Sequence, residues 1–440
     1  MYIESIKIDN IRSIRHFEMK FKNPAGWHVV IGDNGAGKST FVKAVSLALV
    51  GAVKAIYLRQ DFKKWIRIGA GVEEEKKIEL GILRDNRDVK YSGTKPPSNY
   101  NIGVEIVEKE SRKTDNVATN TTLTTVLALE SAFPKHYELA GLLVSGYFSA
   151  AFGPYRRFTG GNTEWSAVSP YPTAEAHISA FGEDVMLGEC INWLKNLRTL
   201  ANEPANKDRE RYKTLLDDFV NFFNHGEILP HNSKLKLITS QDILFLDGNS
   251  NEVSVMELSD GYRSVLSMTF DLIRQLTIFY PTVDLFANVR KGGPGNYFID
   301  LPGVVIIDEI DAHLHPTWQQ EIGNTLTRLF PKIQFIVTTH SPLVCRAAQN
   351  GSIWRLAAPG NDNKSGEIIG IERARLINGN ILDAYGTEVF GENVSISEES
   401  NEKMNRLAEL NIKSITGEIE DSEKSELQNL KTIFPTEKSK

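Results

Sequence analysis

The sequence predicts an α/β protein: two lobes around a mixed sheet, with a short helical insertion between them and a helical C-terminal tail. Three observations carry this. A glycine-rich loop, residues 32–40, lies between an apolar run (Trp27–Ile31) and a breaker-free helical stretch (Ser39–Val50). A run of β-branched residues, Gly303–Ile307, ends in Asp308-Glu309. A third apolar run, Gln334–Val337, ends in Thr338-Thr339-His340-Ser341. Continuous apolar runs of this length read as strands covered on both faces, as in a parallel sheet.

Composition bounds the rest. At 440 residues and 49.2 kDa the chain exceeds one ordinary core and implies about two to four units. With 41% hydrophobic and 24% charged residues it resembles a globular protein. The formal charge of -6 excludes a histone-like polycation but not a local basic groove. Mean hydropathy is -0.26, no apolar run reaches the roughly 18 residues of a membrane helix, and the N-terminus has no signal-peptide core. The expectation is a soluble, cytoplasmic protein without membrane association. Two cysteines, Cys190 and Cys345, exclude a disulfide framework and a four-cysteine zinc site within one chain.

Taken in order, Met1–Phe21 opens the first lobe (residues 1–160). Residues 32–40, Gly-Asp-Asn-Gly-Ala-Gly-Lys-Ser-Thr, fit the phosphate-loop pattern in its required strand–loop–helix context. Gly32, Gly35 and Gly37 let the backbone of Asn34, Gly35, Ala36 and Gly37 aim its N–H groups inward, where they and the helix N-terminus bind phosphate oxygens. Lys38 would neutralise the outer phosphates, and Ser39 would hold Mg²⁺ with Thr40 nearby. Lys76–Leu83 and Asn101–Glu108 alternate as antiparallel strands, separated by a loop over Arg87–Asn99. Gly141–Tyr147 reads as a further strand. Residues 161–255 form the insertion, helical over Glu183–Leu200 and Arg209–Phe223 and without the sustained heptads of a coiled coil. The second lobe, residues 256–360, contains Glu-Leu-Ser-Asp-Gly-Tyr-Arg-Ser (257–264), in which Ser259 caps a helix through Tyr280 and Gly261 permits close backbone approach. Asn288–Asn296 reads as a loop. Asp308 would reach Mg²⁺, Glu309 would polarise the attacking water, and His340 would sense the third phosphate. The tail, residues 361–440, has a short helix and turn at Ile381–Phe390. A helical hairpin follows over Glu398–Leu410 and Asp421–Phe434, separated by Gly417: Met404, Leu407 and Leu410 share a face of the first helix, and Leu427, Leu430 and Phe434 a face of the second.

Phosphate loop, Leu-Ser-Asp-Gly, Asp308-Glu309 and His340, in that order, resemble an ABC-type ATPase head of the SMC/RecF-like branch found in DNA repair and anti-phage systems. Residues Ile6–Ile14, Ile307–Pro316 and Thr339–Pro342 match that branch as well, so the resemblance spans roughly residues 1–360. It implies ATP and Mg²⁺ as ligands and face-to-face homodimers or higher homo-oligomers of heads. Ser259 and Gly261 would then touch the nucleotide of a neighbour, and Asp311 would lie at the seam. Asp260 and Tyr262 depart from the transporter form of the signature. The glutamine that ends a lobe-one strand in this branch has no clear counterpart: Gln60 is one candidate. Tyr155-Arg156 is another, with Arg156 near a phosphate or simply part of a solvated arginine pair. The short helical tail looks like the ATPase subunit of Septu systems and its retron-linked relatives, which implies a separate HNH nuclease as partner. Two other readings compete. A RecF-like DNA-binding repair ATPase would use basic residues such as Lys63, Lys64 and Arg67 for nucleic acid, and an autonomous nuclease would need a Toprim segment after His340 for which no Asp-x-Asp is found.

Overall fold

The computed structural model describes residues 1–71, 73–88, 98–111, 121–128, 146–158, 171–182, 187–229, 232–293, 295–358, 365–379, 398–416 and 419–433. The chain forms two compact units, Met1–Asn378 and Gly379–Lys440.

In the first unit, β1 (Tyr2–Ile11) and β2 (Ile14–Lys20) form a hairpin, with Ile8 opposite Phe17. Strand β3 (Gly26–Ile31) leads into the glycine-rich loop and α1 (Lys38–Val50). Strands β4 (Lys77–Leu83), β5 (Asn99–Ser111) and β6 (Thr121–Ala128) extend the hairpin into an antiparallel sheet of order β2-β1-β4-β5-β6. Its period-two pattern follows from burial on one face: Ile6, Ile8, Ile78, Leu80, Ile82 and Val104 are fully buried, in one core with Phe41, Val45 and Leu47 of α1.

Strand β7 (Ser149–Phe152) enters the second sheet, and α2 (Pro172–Glu175) follows. The insertion supplies α3 (Glu189–Asn202) and α4 (Arg209–His225), as the helical periodicity predicts. It also carries a meander that the sequence reading missed: β8 (Lys234–Ile238), β9 (Ile243–Leu246) and β10 (Glu252–Ser254). These strands are three to five residues long, too short for the alternation of Lys234-Leu235-Lys236-Leu237 in β8 to stand out, and a bulge lies between Leu235 and Leu237.

Helix α5 (Asp260–Phe279) is buried along most of its length. Then come β11 (Gly303–Ile307), α6 (Pro316–Leu329), β12 (Ile333–Thr339), α7 (Pro342–Cys345), β13 (Ser352–Arg355), β14 (Gly366–Glu367) and α8 (Gly370–Asn378). The second sheet has the order β14-β13-β3-β12-β11-β7. Every pair from β13 to β7 is parallel, and β14 is antiparallel at the edge, so the predicted mixed sheet around the phosphate loop is observed. Residues 366–378, which the sequence reading gave to the tail, add their strand and helix to this unit.

In the second unit, α9 (Glu398–Thr416) and α10 (Asp421–Ile433) form the expected hairpin. Leu407, Leu410, Leu427 and Leu430 make its small core. Arg406 pairs with Glu423 and Glu426 across the hairpin, and Lys413 with Glu423. The expected contributions of Met404 and Phe434, the turn glycine Gly417, the element at 381–390 and residues 141–145 of the strand expected over Gly141–Tyr147 lie outside the described residues; Gly146 and Tyr147 are not in a strand, which starts instead at Ser149. No helix among the described residues is long and apolar enough to cross a membrane.

Candidate functional site: a strand-end cluster around the phosphate loop

Parallel register brings the three motifs together. Ile31 of β3 lies beside Thr339 of β12, and Val337 of β12 beside Ile307 of β11. The glycine-rich loop, His340 and the Asp308-Glu309 turn therefore leave the sheet at one edge, the carboxyl ends of adjacent strands, where α/β sheets bind ligands.

The loop holds its shape through two left-handed glycines, Gly35 (φ 81°) and Gly37 (φ 104°). They differ in surroundings. A Cβ on Gly37 would sit 2.6 Å from Ser13 Oγ, whereas a Cβ on Gly35 would meet nothing within 4 Å. The loop is thus braced from behind and open in front. Asn34 is exposed, Ala36 is buried, and Ser39 and Thr40 are half-buried on the first turn of α1. Lys38 is 6% exposed, and its Nζ donates to the carbonyls of Gly32 (2.7 Å) and Asp33 (3.1 Å). The same nitrogen lies 3.4 Å from His340 Nδ1. Burial lowers the Lys38 pKa, while the charges of Glu309, Asp308 and Asp311 push it back up. His340 is lowered too, first by burial and then by the Lys38 charge, which keeps the imidazole neutral near pH 7.

The acidic turn is held from two sides. Thr338 Oγ1 donates to Asp308 Oδ1 at 2.5 Å and accepts the Glu309 backbone N–H at 2.8 Å. Asp311 Oδ1 accepts from Thr339 Oγ1 at 2.6 Å and from the His340 N–H at 3.4 Å. Glu309 itself has φ 45°, a left-handed conformation that costs a non-glycine residue ~1–3 kcal/mol and persists only where neighbours over-determine it. Lys38, Asp308, Glu309, Asp311 and His340 form one electrostatic cluster. Thr338 and Asp311 have positioning roles that strand patterning cannot signal, because the bonds run between strands.

Ser259 and Gly261 stand outside that cluster, at the exposed start of α5. Ser259 occupies the N-cap position, but its side chain makes no capping bond; its carbonyl accepts the Arg263 N–H at 2.9 Å. This corrects the expected hydroxyl cap: the backbone alone closes the first turn. Gly261 does allow close approach, since a Cβ there would lie 2.8 Å from the carbonyl oxygen of His313 in the turn after Asp311. Asp260 pairs with Arg263.

The two candidates for the missing glutamine resolve differently from expectation. Gln60 Nε2 donates to the carbonyls of Leu58 and Phe181. Arg156 is not the solvated arginine of the second alternative. It is 4% exposed, and its guanidinium donates to the carbonyls of Gly153, Asp308, Glu309 and Ile310 and to Ser264 Oγ. Of the basic residues considered for nucleic acid, Arg67 donates to the Ser13 carbonyl at 2.8 Å and Lys64 pairs with Asp61. That commits part of the cluster to the fold.

The expected donors are one carboxylate, Asp308, and one hydroxyl, Ser39, and no group of three or more His, Cys, Asp or Glu side chains able to hold a metal occurs among the described residues. The donor set therefore suits a hydrated, oxygen-liking cation that takes its other ligands from water and phosphate, as Mg²⁺ does.

Residues 28–346 match the family described as "AAA domain, putative AbiEii toxin, Type IV TA system". A "Septu protein PtuA" from Bacillus mycoides is 27% identical over 358 residues, 80% of this chain and 40% of that protein. A "Retron Ec83 probable ATPase" from Escherichia coli is 37% identical over 171 residues, 39% of this chain and 28% of that protein. The chain thus spans less than half the length of these curated relatives. Among solved structures, an SMC head bound to the C-winged helix domain of ScpA aligns with a TM-score of 0.48 at 16% identity, over 85% of this chain and 99% of that one. The family match encloses the strand-end cluster from the glycine-rich loop to His340, and the chain belongs to this AAA-domain family, with a Septu protein and a retron ATPase among its relatives.

Proposed function

We propose that this protein is an ATP-binding and ATP-hydrolysing subunit of an anti-phage defence assembly, and that its heads associate around nucleotide to regulate a separate HNH nuclease. The observation that carries the ATPase reading is the approach of Lys38 Nζ to His340 Nδ1, 3.4 Å, with Asp308 and Glu309 at the end of the neighbouring strand. In this reading the amides of residues 34–37 and Lys38 bind the phosphates of ATP. Ser39 and Asp308 would hold Mg²⁺, which when bound neutralises charge developing on the phosphates. Glu309, fixed through its backbone, orients the attacking water and accepts its proton. Neutral His340 hydrogen-bonds the outer phosphate or the water. Exposed Ser259 and half-buried Gly261, at the start of α5, contact nucleotide on a second head. The similarity to a Septu protein and to a retron ATPase supports the defence setting.

The test is phosphate release by the purified full chain with MgATP, beside Lys38→Ala. Turnover above that variant, together with co-purification of an HNH nuclease from the native host, is the expected result. Turnover no higher than Lys38→Ala refutes the ATPase reading. Turnover without any nuclease partner refutes the regulatory one.

A further inference from the structure

Arg156 occupies a position that no part of the proposed chemistry uses. A guanidinium has five N–H donors in a fixed fork, one on Nε and two on each Nη. Here five bonds are made, and none goes to a carboxylate. Nε donates to Ser264 Oγ at 3.1 Å, Nη1 to the carbonyls of Gly153 (2.9 Å) and Asp308 (2.8 Å), and Nη2 to those of Glu309 (3.0 Å) and Ile310 (3.3 Å). Burying a cation without a direct ion pair is costly and is tolerated only where every donor is met. Burial pulls the Arg156 pKa down to about 10, so it stays charged at neutral pH, helped by the nearby carboxylates of Asp308, Asp311 and Glu309.

What those bonds join is specific. Gly153 directly follows β7, residues 308–310 are the acidic turn after β11, and Ser264, itself 1% exposed, lies one turn into α5 beyond Gly261. Three consecutive carbonyls on one guanidinium fix the peptide planes on both sides of Glu309, the residue held at φ 45°. The Nε bond then ties that arrangement to the helix whose start carries Ser259 and Gly261.

We propose that Arg156 is a positioning residue that couples α5 to the acidic turn, so that a displacement of the Ser259–Gly261 end reaches the backbone of Glu309 through one rigid side chain. Arg156 thereby ties the segment after β7 to both α5 and the acidic turn. Lysine cannot replace it, because a point charge with three donors cannot meet five acceptors in a plane. Ser264 acts only through Arg156. The inference rests on the ATPase reading above.

The experiment uses the full chain carrying Ser264→Ala, Arg156→Lys or both, beside wild type and Lys38→Ala. It measures kcat and KM for MgATP, affinity for a fluorescent ATP analogue, and the melting temperature. A displacement of the order of 1 Å at a reacting group costs up to about 100-fold in rate. Ser264→Ala is therefore expected to lower kcat about tenfold, and Arg156→Lys up to about 100-fold. KM and analogue affinity should stay within about twofold, because binding rests on the phosphate loop. The double variant should be no slower than Arg156→Lys alone, since serine and arginine act as one unit. Wild-type kcat in both single variants overturns the coupling. So does a fall in affinity and melting temperature that accounts for the lost rate, which would make Arg156 a folding anchor only. If Arg156→Lys fails to fold, Ser264→Ala decides alone. Absence of wild-type turnover above Lys38→Ala would instead overturn the ATPase reading, and this inference with it, which keeps the two failures distinct.

Discussion

Replacing Thr338 with valine removes one hydroxyl and keeps the shape of the side chain. That hydroxyl makes two bonds, donating to Asp308 Oδ1 at 2.5 Å and accepting the Glu309 N–H at 2.8 Å. Thr338 is fully buried and Asp308 is 2% exposed, so water cannot replace the bond to Asp308 without rearrangement, while the half-buried Glu309 N–H allows partial relaxation. A hydrogen bond to a charged group contributes about 1.5–3 kcal/mol, and an N–H left unmet in the interior costs about 1–3 kcal/mol. Allowing for partial relaxation, Thr338→Val should cost about 3–5 kcal/mol, a large share of the roughly 5–15 kcal/mol of a typical fold. Thr338→Ser keeps the hydroxyl and loses one methyl, for about 1 kcal/mol. Urea unfolding followed by tryptophan fluorescence measures both, and the slope against denaturant should match wild type if only the native state is affected. ATP turnover should fall further in Thr338→Val, because the amide that helps hold Glu309 in its left-handed conformation is released. If the valine variant is no less stable than the serine variant, the hydroxyl does not hold the acidic turn and the argument fails.

Lys38→Ala should abolish binding of a fluorescent ATP analogue while leaving the circular dichroism spectrum unchanged. Glu309→Gln should retain nucleotide and accumulate a dimer or higher assembly by light scattering, with turnover reduced at least ~100-fold; unchanged turnover would remove Glu309 from the water-positioning role. Truncation before Glu398 should leave nucleotide affinity within about twofold, because the phosphate loop belongs to the other compact unit, but weaken assembly or nuclease binding in a pull-down. Acid should destabilise the fold. His28 is pulled down to about 4 by burial, so below an unfolded-state value near 6.5 the unfolded chain binds the extra proton first. Stability present above pH ~6.5 is then lost progressively toward pH 4, by roughly 3 kcal/mol from this residue, and His28→Gln should flatten the stability–pH slope in that window.

Much of the site was legible because its signals are local. The loop 32–40, the β-branched run before Asp308 and the apolar run before His340 each announce themselves within ten residues, and parallel register does the rest. What stayed hidden depends on sequence-distant partners. Arg156 meets acceptors more than a hundred residues away, and nothing in Pro154-Tyr155-Arg156-Arg157 distinguishes the buried arginine from its neighbour. Thr338 and Thr339 look alike as strand ends, yet one serves Asp308 and the other Asp311. The β8–β10 meander was lost to the shortness of its strands, three to five residues each.

The brace behind Gly37 makes the β1–β2 hairpin a lever on the nucleotide loop. Ser13 sits where a Gly37 side chain would be, Arg67 holds the Ser13 carbonyl, and the Arg12 N–H is bound to the Trp65 carbonyl at 2.8 Å. Any change in the loop's backbone must therefore be felt at residues 12–14, on the far side of the loop from the open face at Gly35. Arg15, exposed on the next position, offers an attachment point for a spectroscopic label that could report occupancy of the loop in real time without altering any group that faces the ligand.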